Sequence, residues 1–200
     1  MISRFLFLLL VGGLILCSCH SEKNYLPKPR VYPRIDFPEK GYTLFDNEDC
    51  PFRMNIPSYF EFKKDSLSLE EGLNTDCWFD LNCIPLNASL HMSYLPVNSR
   101  KEFDDFVEDA FELVDKHNVK ANYRDEYTVN MPGKNLYGVT FELDGPVAAP
   151  LQFYLTDSTS HFLRGSLYFR SRVNRDSLAP VYNFIKEDFD LMIESFLWHP

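Results

Sequence analysis

Residues 88–114 read ASLHMSYLPVNSRKEFDDFVEDAFELV, and the hydrophobic period changes within them. From Ala88 to Tyr94 the period is two. Ala88, Leu90, Met92 and Tyr94 share one side and Ser89, His91 and Ser93 the other, which is the alternation of a strand with one buried face. From Phe103 onward, Phe103, Phe106, Val107, Ala110, Phe111 and Val114 recur at spacings of three and four, the stripe of an amphipathic helix. Glu102, Asp104, Asp105, Glu108, Asp109 and Glu112 cover its other side as a solvated face. Ser99 with Glu102 makes a capping box that starts this helix, and Asn118 stops it. A helix with a single apolar stripe must bury it against a sheet or another helix.

On the N-terminal side, Phe52, Met54 and Ile56 alternate from Cys50 until Pro57 stops the strand, and a second strand runs from Cys77 to Ile84. Lys63 to Glu71 between them is charged and reads as a solvated loop. On the C-terminal side four strands follow, roughly Val119–Met131, Asn135–Leu143, Ala148–Thr156 and His161–Arg170. Pro132-Gly133, Asp144-Gly145-Pro146 and Asp157-Ser158-Thr159-Ser160 are their turns, so the last pair is a hairpin. A second helix begins near Ser177, tolerates Pro180 in its first turn and turns Val181, Phe184, Ile185, Phe189, Met192 and Phe196 inward. The order strands, helix, strands, helix predicts an α+β domain over 50–200: one mostly antiparallel sheet with two packed helices. Tyr154, Phe162 and Tyr168 lie opposite the inward faces of the last hairpin. Either the sheet is covered on both sides or an aromatic patch is exposed.

The chain has 200 residues, a formal net charge of -9 and only 8 glycines. This suits one globular domain and excludes collagen-like and repeat architectures. So acidic a surface also argues against nucleic acid, whose affinity rests on Lys and Arg displacing counterions.

Met1 to Ser18 carries one basic residue, Arg4, and an apolar run from Phe5 to Leu16, too short for the ~20 residues of a spanning helix. Residues 1–18 therefore read as a signal peptide. Leu16, Cys17, Ser18 and Cys19 resemble a bacterial lipobox, with Cys19 as the lipid acceptor because small Ser18 precedes it. His20 stands where an inner-membrane retention signal of the enteric type would place Asp, which favours the outer membrane. Residues 19–49 are expected to be the lipid anchor and a tether: Pro27, Pro29, Pro33 and Pro38, interleaved with Lys28, Arg30, Arg34 and Lys40, keep it extended. Tyr25, Tyr32, Ile35 and Phe37 give this arm a second reading, as a segment that docks on the domain or on a partner.

Export leaves Cys50, Cys77 and Cys83 in an oxidising compartment, so one disulfide and one thiol are expected. Cys50–Cys77 closes a loop of about 27 residues, worth roughly 3–4 kcal/mol in the chain-entropy model. Cys83 competes for Cys50, and is favoured if the first two strands form a hairpin.

No His, Cys or carboxylate set has metal-ligand spacing, and no phosphate loop, dinucleotide fingerprint or cofactor motif occurs. Asp157, Ser158 and His161 have the residue types of a hydrolase triad, but a tight turn does not set them in relay and no nucleophile elbow is present. No catalytic residue, metal or cofactor is assigned, and the chain is expected not to be an enzyme.

The layout, with its short strand ending in proline, acidic mid-chain helix and terminal helix, resembles the PsbP and Mog1 type of sandwich. More specifically, the chain resembles the GldD family of gliding-motility lipoproteins of Bacteroidetes. The resemblance rests on Pro27-Lys28-Pro29-Arg30 with Arg34-Ile35-Asp36-Phe37-Pro38, Cys50-Pro51-Phe52, Cys77-Trp78-Phe79, the run from Thr156 through Arg164 and Gly165 to Pro180, and Met192-Ile193-Glu194-Ser195. It implies a non-enzymatic envelope lipoprotein required for gliding motility and the associated type IX secretion machinery. Its partners would then be other envelope proteins of that machinery and, through its lipid, a membrane. The first hypothesis is a tethered scaffold or assembly factor that docks through its arm (Pro29, Arg30, Tyr32) and last hairpin (Asp157, His161, Arg164). The second is a lipid-anchored periplasmic ligand-binding or hydrolytic domain, with a pocket between sheet and helix and His161 near its mouth.

Overall fold

Alternating apolar residues place seven strands in one antiparallel sheet. A computed structural model describes residues 34–64, 76–171 and 175–199. Residues 35–200 form one compact unit. The elements are β1 (Tyr42–Asp46), β2 (Phe52–Pro57), β3 (Glu61–Lys64), β4 (Trp78–Cys83), β5 (Ala88–Pro96), α1 (Arg100–Asn118), β6 (Tyr123–Met131), β7 (Leu136–Asp144), β8 (Leu151–Thr156), β9 (His161–Phe169), α2 (Arg175–Ser195) and β10 (Leu197–Trp198). Seven strands pair in the order β3-β4-β5-β9-β8-β7-β6, and three more in the order β1-β2-β10. Every pairing is antiparallel. The α+β class with two helices is thus the observed one.

Three details depart from the sequence reading. There are two sheets rather than one, because β2 hydrogen-bonds with β1 and β10 and not with β4. Lys63 and Lys64 lie in the edge strand β3 instead of a loop. The span read as tether also contributes to the domain. Ile35 packs against the main core, Phe37 stacks on Phe184 with ring centroids 4.7 Å apart, and β1 aligns Phe45 with Met54 of β2. This is the docking alternative for Ile35 and Phe37; Tyr25 and Tyr32 lie outside the described residues.

The large sheet is buried on both faces. Leu90, Met92, Leu151, Phe153, Leu155, Leu163 and Leu167 meet α2 and the small sheet on one side, with Val181, Ile185, Phe189 and Met192 inserted from the helix. On the other side Phe103, Phe106, Phe111 and Val114 of α1 pack over Phe162, Phe141 and Tyr154. Coverage on both sides therefore accounts for Phe162, which is fully buried, and for the half-buried Tyr154 and Tyr168. Ser99 caps α1 by accepting the Glu102 N–H at 3.2 Å, while the Glu102 carboxylate accepts from the Asn98 N–H at 2.8 Å, one residue before the usual capping-box partner.

Cys50 is bonded to Cys77, with Cα atoms 5.1 Å apart, and Cys83 is a buried free thiol. The hairpin that would have favoured Cys83 does not form, since the strands after Cys50 and Cys77 belong to different sheets. Peptide mapping without reduction is expected to return the Cys50–Cys77 peptide, with Cys83 alkylated only after unfolding. A Cys50–Cys83 peptide would contradict this arrangement.

Candidate functional site

The β8–β9 turn is organised by a single carboxylate. Asp157 is buried and accepts the backbone N–H groups of Thr159, Ser160 and His161 at 2.8–2.9 Å, and the Thr159 hydroxyl at 2.6 Å. Burial pushes its pKa up, but the four hydrogen bonds outweigh burial and hold it down at about 2. Ser158 takes the left-handed conformation, φ 68°, and donates its N–H to Thr156 Oγ1 at 2.9 Å. With its pKa lowered in the folded state, Asp157 stabilises the domain above the ordinary carboxylate pKa of 3.8, and that stabilisation fades as pH falls toward 2. Asp157→Ala is expected to cost about 2 kcal/mol at neutral pH and progressively less across that acid window. Paired urea titrations at pH 7 and pH 2.5 check this.

His161 does not face Ser158. Its Nδ1 pairs with the Tyr94 hydroxyl at 2.7 Å, and its ring stacks on Trp198, centroids 4.9 Å apart and planes 16° apart. Burial holds the imidazole below its ordinary range against the opposing pull of Asp157, while burial and the same carboxylate push the Tyr94 phenol up to about 12. The Asp157, Ser158 and His161 types are therefore spent on a turn and a stacked pair, not on a relay. Arg164 does not join them. It lies on the α1 side of β9 opposite Ser93 and Tyr154, whereas His161 lies on the α2 side. There Arg164 lines a polar groove of about 350 Å³ with Ser93, Gln152, Ser166 and His117. At its rim His91 Nδ1 pairs with Asp80, and the Tyr168 hydroxyl sits 3.3 Å from His117 Nε2. Pro29, Arg30, Tyr32 and Cys19 lie outside the described residues. Among the described residues no group of three His, Cys, Asp or Glu side chains is placed to hold a metal.

A polar cluster that sequence reasoning missed fastens the arm to α2. Asp188 is fully buried and accepts the hydroxyls of Tyr42 at 2.6 Å and Tyr59 at 2.5 Å. Lys40 Nζ lies 3.1 Å from the same carboxylate, 2.7 Å from Glu187 and 4.8 Å from the Phe184 ring centroid. Burial first, and then the Asp188 carboxylate, raises the Tyr59 phenol well above its ordinary range. The signal was present in the sequence: Asp188 interrupts the apolar stripe Ile185, Phe189, Met192 at helical spacing, and a carboxylate there needs donors. This cluster holds a segment in place; it presents no nucleophile.

The family model for gliding motility lipoprotein GldD matches residues 22–198. No curated protein matches the chain. Among solved structures, the solution structure of cyanobacterial PsbP from Synechocystis is similar at a TM-score of 0.46 and 12% identity, covering 81% of this chain and 95% of that one. No described helix is long and apolar enough to cross a membrane.

Proposed function

The chain belongs to the gliding motility lipoprotein GldD family, and from that premise we propose that it is a tethered scaffold or assembly factor for the type IX secretion machinery that accompanies gliding. The family makes it a lipid-anchored envelope protein of gliding motility. The finer reading is that residues 1–18 are removed, that Cys19 carries the lipid, and that the domain faces the periplasm from the outer membrane. Two acyl chains bury tens of methylenes at ~0.8 kcal/mol each, enough for stable anchoring of a domain whose net negative charge gives it no attraction to an anionic bilayer.

The family match over 22–198 carries this reading, and the geometry supports a binding role over a catalytic one because Asp157 and His161 are consumed by packing. Partner contacts are assigned to the arm (Pro29, Arg30, Tyr32) and to the β8–β9 hairpin, where Asp157 shapes the turn that is presented and His161 and Arg164 lie on opposite faces. An in-frame deletion tests it. Loss of colony spreading together with intracellular retention of a type IX cargo is expected, and normal spreading and secretion would contradict it. The polar groove beside Arg164 is the observation that favours the second reading, a ligand-binding domain. Under that reading Arg164→Ala abolishes spreading while anchoring and partner crosslinks persist.

A further inference from the structure

The sheet face beneath α1 changes character along β9. Under the start of the helix it is apolar, with Phe162 and Leu95 against Phe103 and Phe106. Under the last turns it is polar: Ser93 of β5, Arg164 and Ser166 of β9 and Gln152 of β8 share the α1 side, as the pairings Ser93↔Arg164 and Gln152↔Ser166 require. Leu113 and His117 of α1 border the resulting groove, whose volume of about 350 Å³ suits a small molecule.

Polar groups on this face are unevenly satisfied. At its far end Ser89 donates to Asn82, and Arg170 Nη2 donates to Asn82 at 2.5 Å and to Ser89 at 3.1 Å, so the buried pair is complete. In the groove Gln152 is only 4% exposed, yet its one side-chain hydrogen bond is long, Nε2 to the Ala149 carbonyl at 3.5 Å. Its Oε1 has no partner among the described residues, and neither have the hydroxyls of Ser93 and Ser166. Buried amides and hydroxyls are seldom left so unless something else meets them. The charged groups, by contrast, are engaged: His91 pairs with Asp80, and Arg164 has a partner. Burial lowers the His117 pKa, so its imidazole is neutral at pH 7 beside the Tyr168 hydroxyl. The rings of His91, Tyr168 and His117 meet edge to face, with centroids 5.1 and 5.9 Å apart, and give the groove an aromatic wall.

We propose that this groove binds a neutral, hydroxyl-rich ligand, a saccharide unit, whose hydroxyls pair with Gln152, Ser93 and Ser166 while its C–H face lies on the Tyr168 wall. A sugar hydroxyl both donates and accepts, which matches an open amide oxygen and two open hydroxyls. An anion brings no donor for Gln152 Oε1, and a cation finds no carboxylate among the lining residues. The inference rests on the ligand-binding reading and names its ligand class. Its test needs no motility, so a failure here is distinct from a failure of the deletion phenotype.

The test uses the full chain in a detergent without a sugar headgroup. Glucose, galactose, mannose, N-acetylglucosamine and their disaccharides are offered in turn and read by saturation-transfer NMR, with inorganic phosphate read by phosphorus line broadening as the anionic comparison. At least one sugar is expected to bind and to slow hydrogen exchange at residues 113–117 and 164–168. Gln152→Met, which keeps the length and removes both polar atoms, is expected to weaken it ~10-fold or more. Ser93→Ala, at a half-buried position, is expected to weaken it ~3-fold or more with circular dichroism unchanged, and decides the matter if Gln152→Met does not fold. Binding of phosphate but of no sugar would overturn the ligand class while keeping the groove as a site. Binding of neither would remove the ligand-binding reading as well, and sugar binding that both variants retain would overturn the assignment to this groove.

Discussion

Asp188→Ala is expected to lower the unfolding free energy by about 2–4 kcal/mol, because two phenol donors lose their acceptor and the Tyr59 hydroxyl is left where water does not easily replace it. The more diagnostic effect is local. Tyr42, Tyr59 and Lys40 converge on this one carboxylate, so its loss should release residues 35–46 from α2 while the seven-stranded sheet stays closed. Hydrogen exchange is expected to accelerate across Tyr42–Asp46 and to change little in β5 and β9. Asp188→Asn keeps one acceptor oxygen and should recover part of the loss. Unchanged protection at Tyr42–Asp46 in the alanine variant would show that Phe37 on Phe184 and the β1–β2 ladder hold the segment unaided. Under the proposed lipidation at Cys19, this segment is the first part of the compact domain along the chain, ahead of the disulfide at Cys50.

The largest stability loss is expected from Phe52→Ala, about 3–5 kcal/mol, the range for emptying a fully buried aromatic site. Phe52 has no exposed surface and contacts Phe196 at 5.1 Å, Phe45 at 5.9 Å and Trp198 at 6.0 Å edge-on, so it joins the strands of the small sheet to the C-terminal turn. Phe79 of the large sheet completes the cluster at 6.5 Å. Thermal unfolding of Phe52→Ala beside Leu44→Ala separates burial from position. Leu44 is 60% exposed on the neighbouring strand, and its loss should fall within ~0.5 kcal/mol of neutral. Comparable losses from both would mean that the small sheet is not anchored through Phe52.

The elements legible in the sequence are those whose period is set by a face buried along its whole length. β5 alternates because Leu90, Met92 and Tyr94 all enter the core, and α1 shows its stripe because Phe106, Ala110 and Val114 all face the sheet. The missed strands lack such a face. β1 buries only Phe45, β3 buries nothing, and β10 is two residues long. The pairing of β10 is also non-local: Trp198 aligns with Phe52, and no sequence window contains both. The site was legible where its chemistry is local, since an aspartate opening a Ser/Thr turn accepts the backbone N–H groups just beyond it. The separation of Arg164 from His161 follows from strand parity. Three residues apart in β9, they face opposite sides of the sheet.

The proposed role requires this folded domain to be held in the envelope by a lipid on Cys19. A deletion strain should be complemented in parallel with the intact gene and with Cys19→Ala, and scored for colony spreading and secretion of a type IX cargo. The intact gene is expected to restore both and Cys19→Ala to restore neither, although its domain accumulates folded. Full restoration by Cys19→Ala would contradict it.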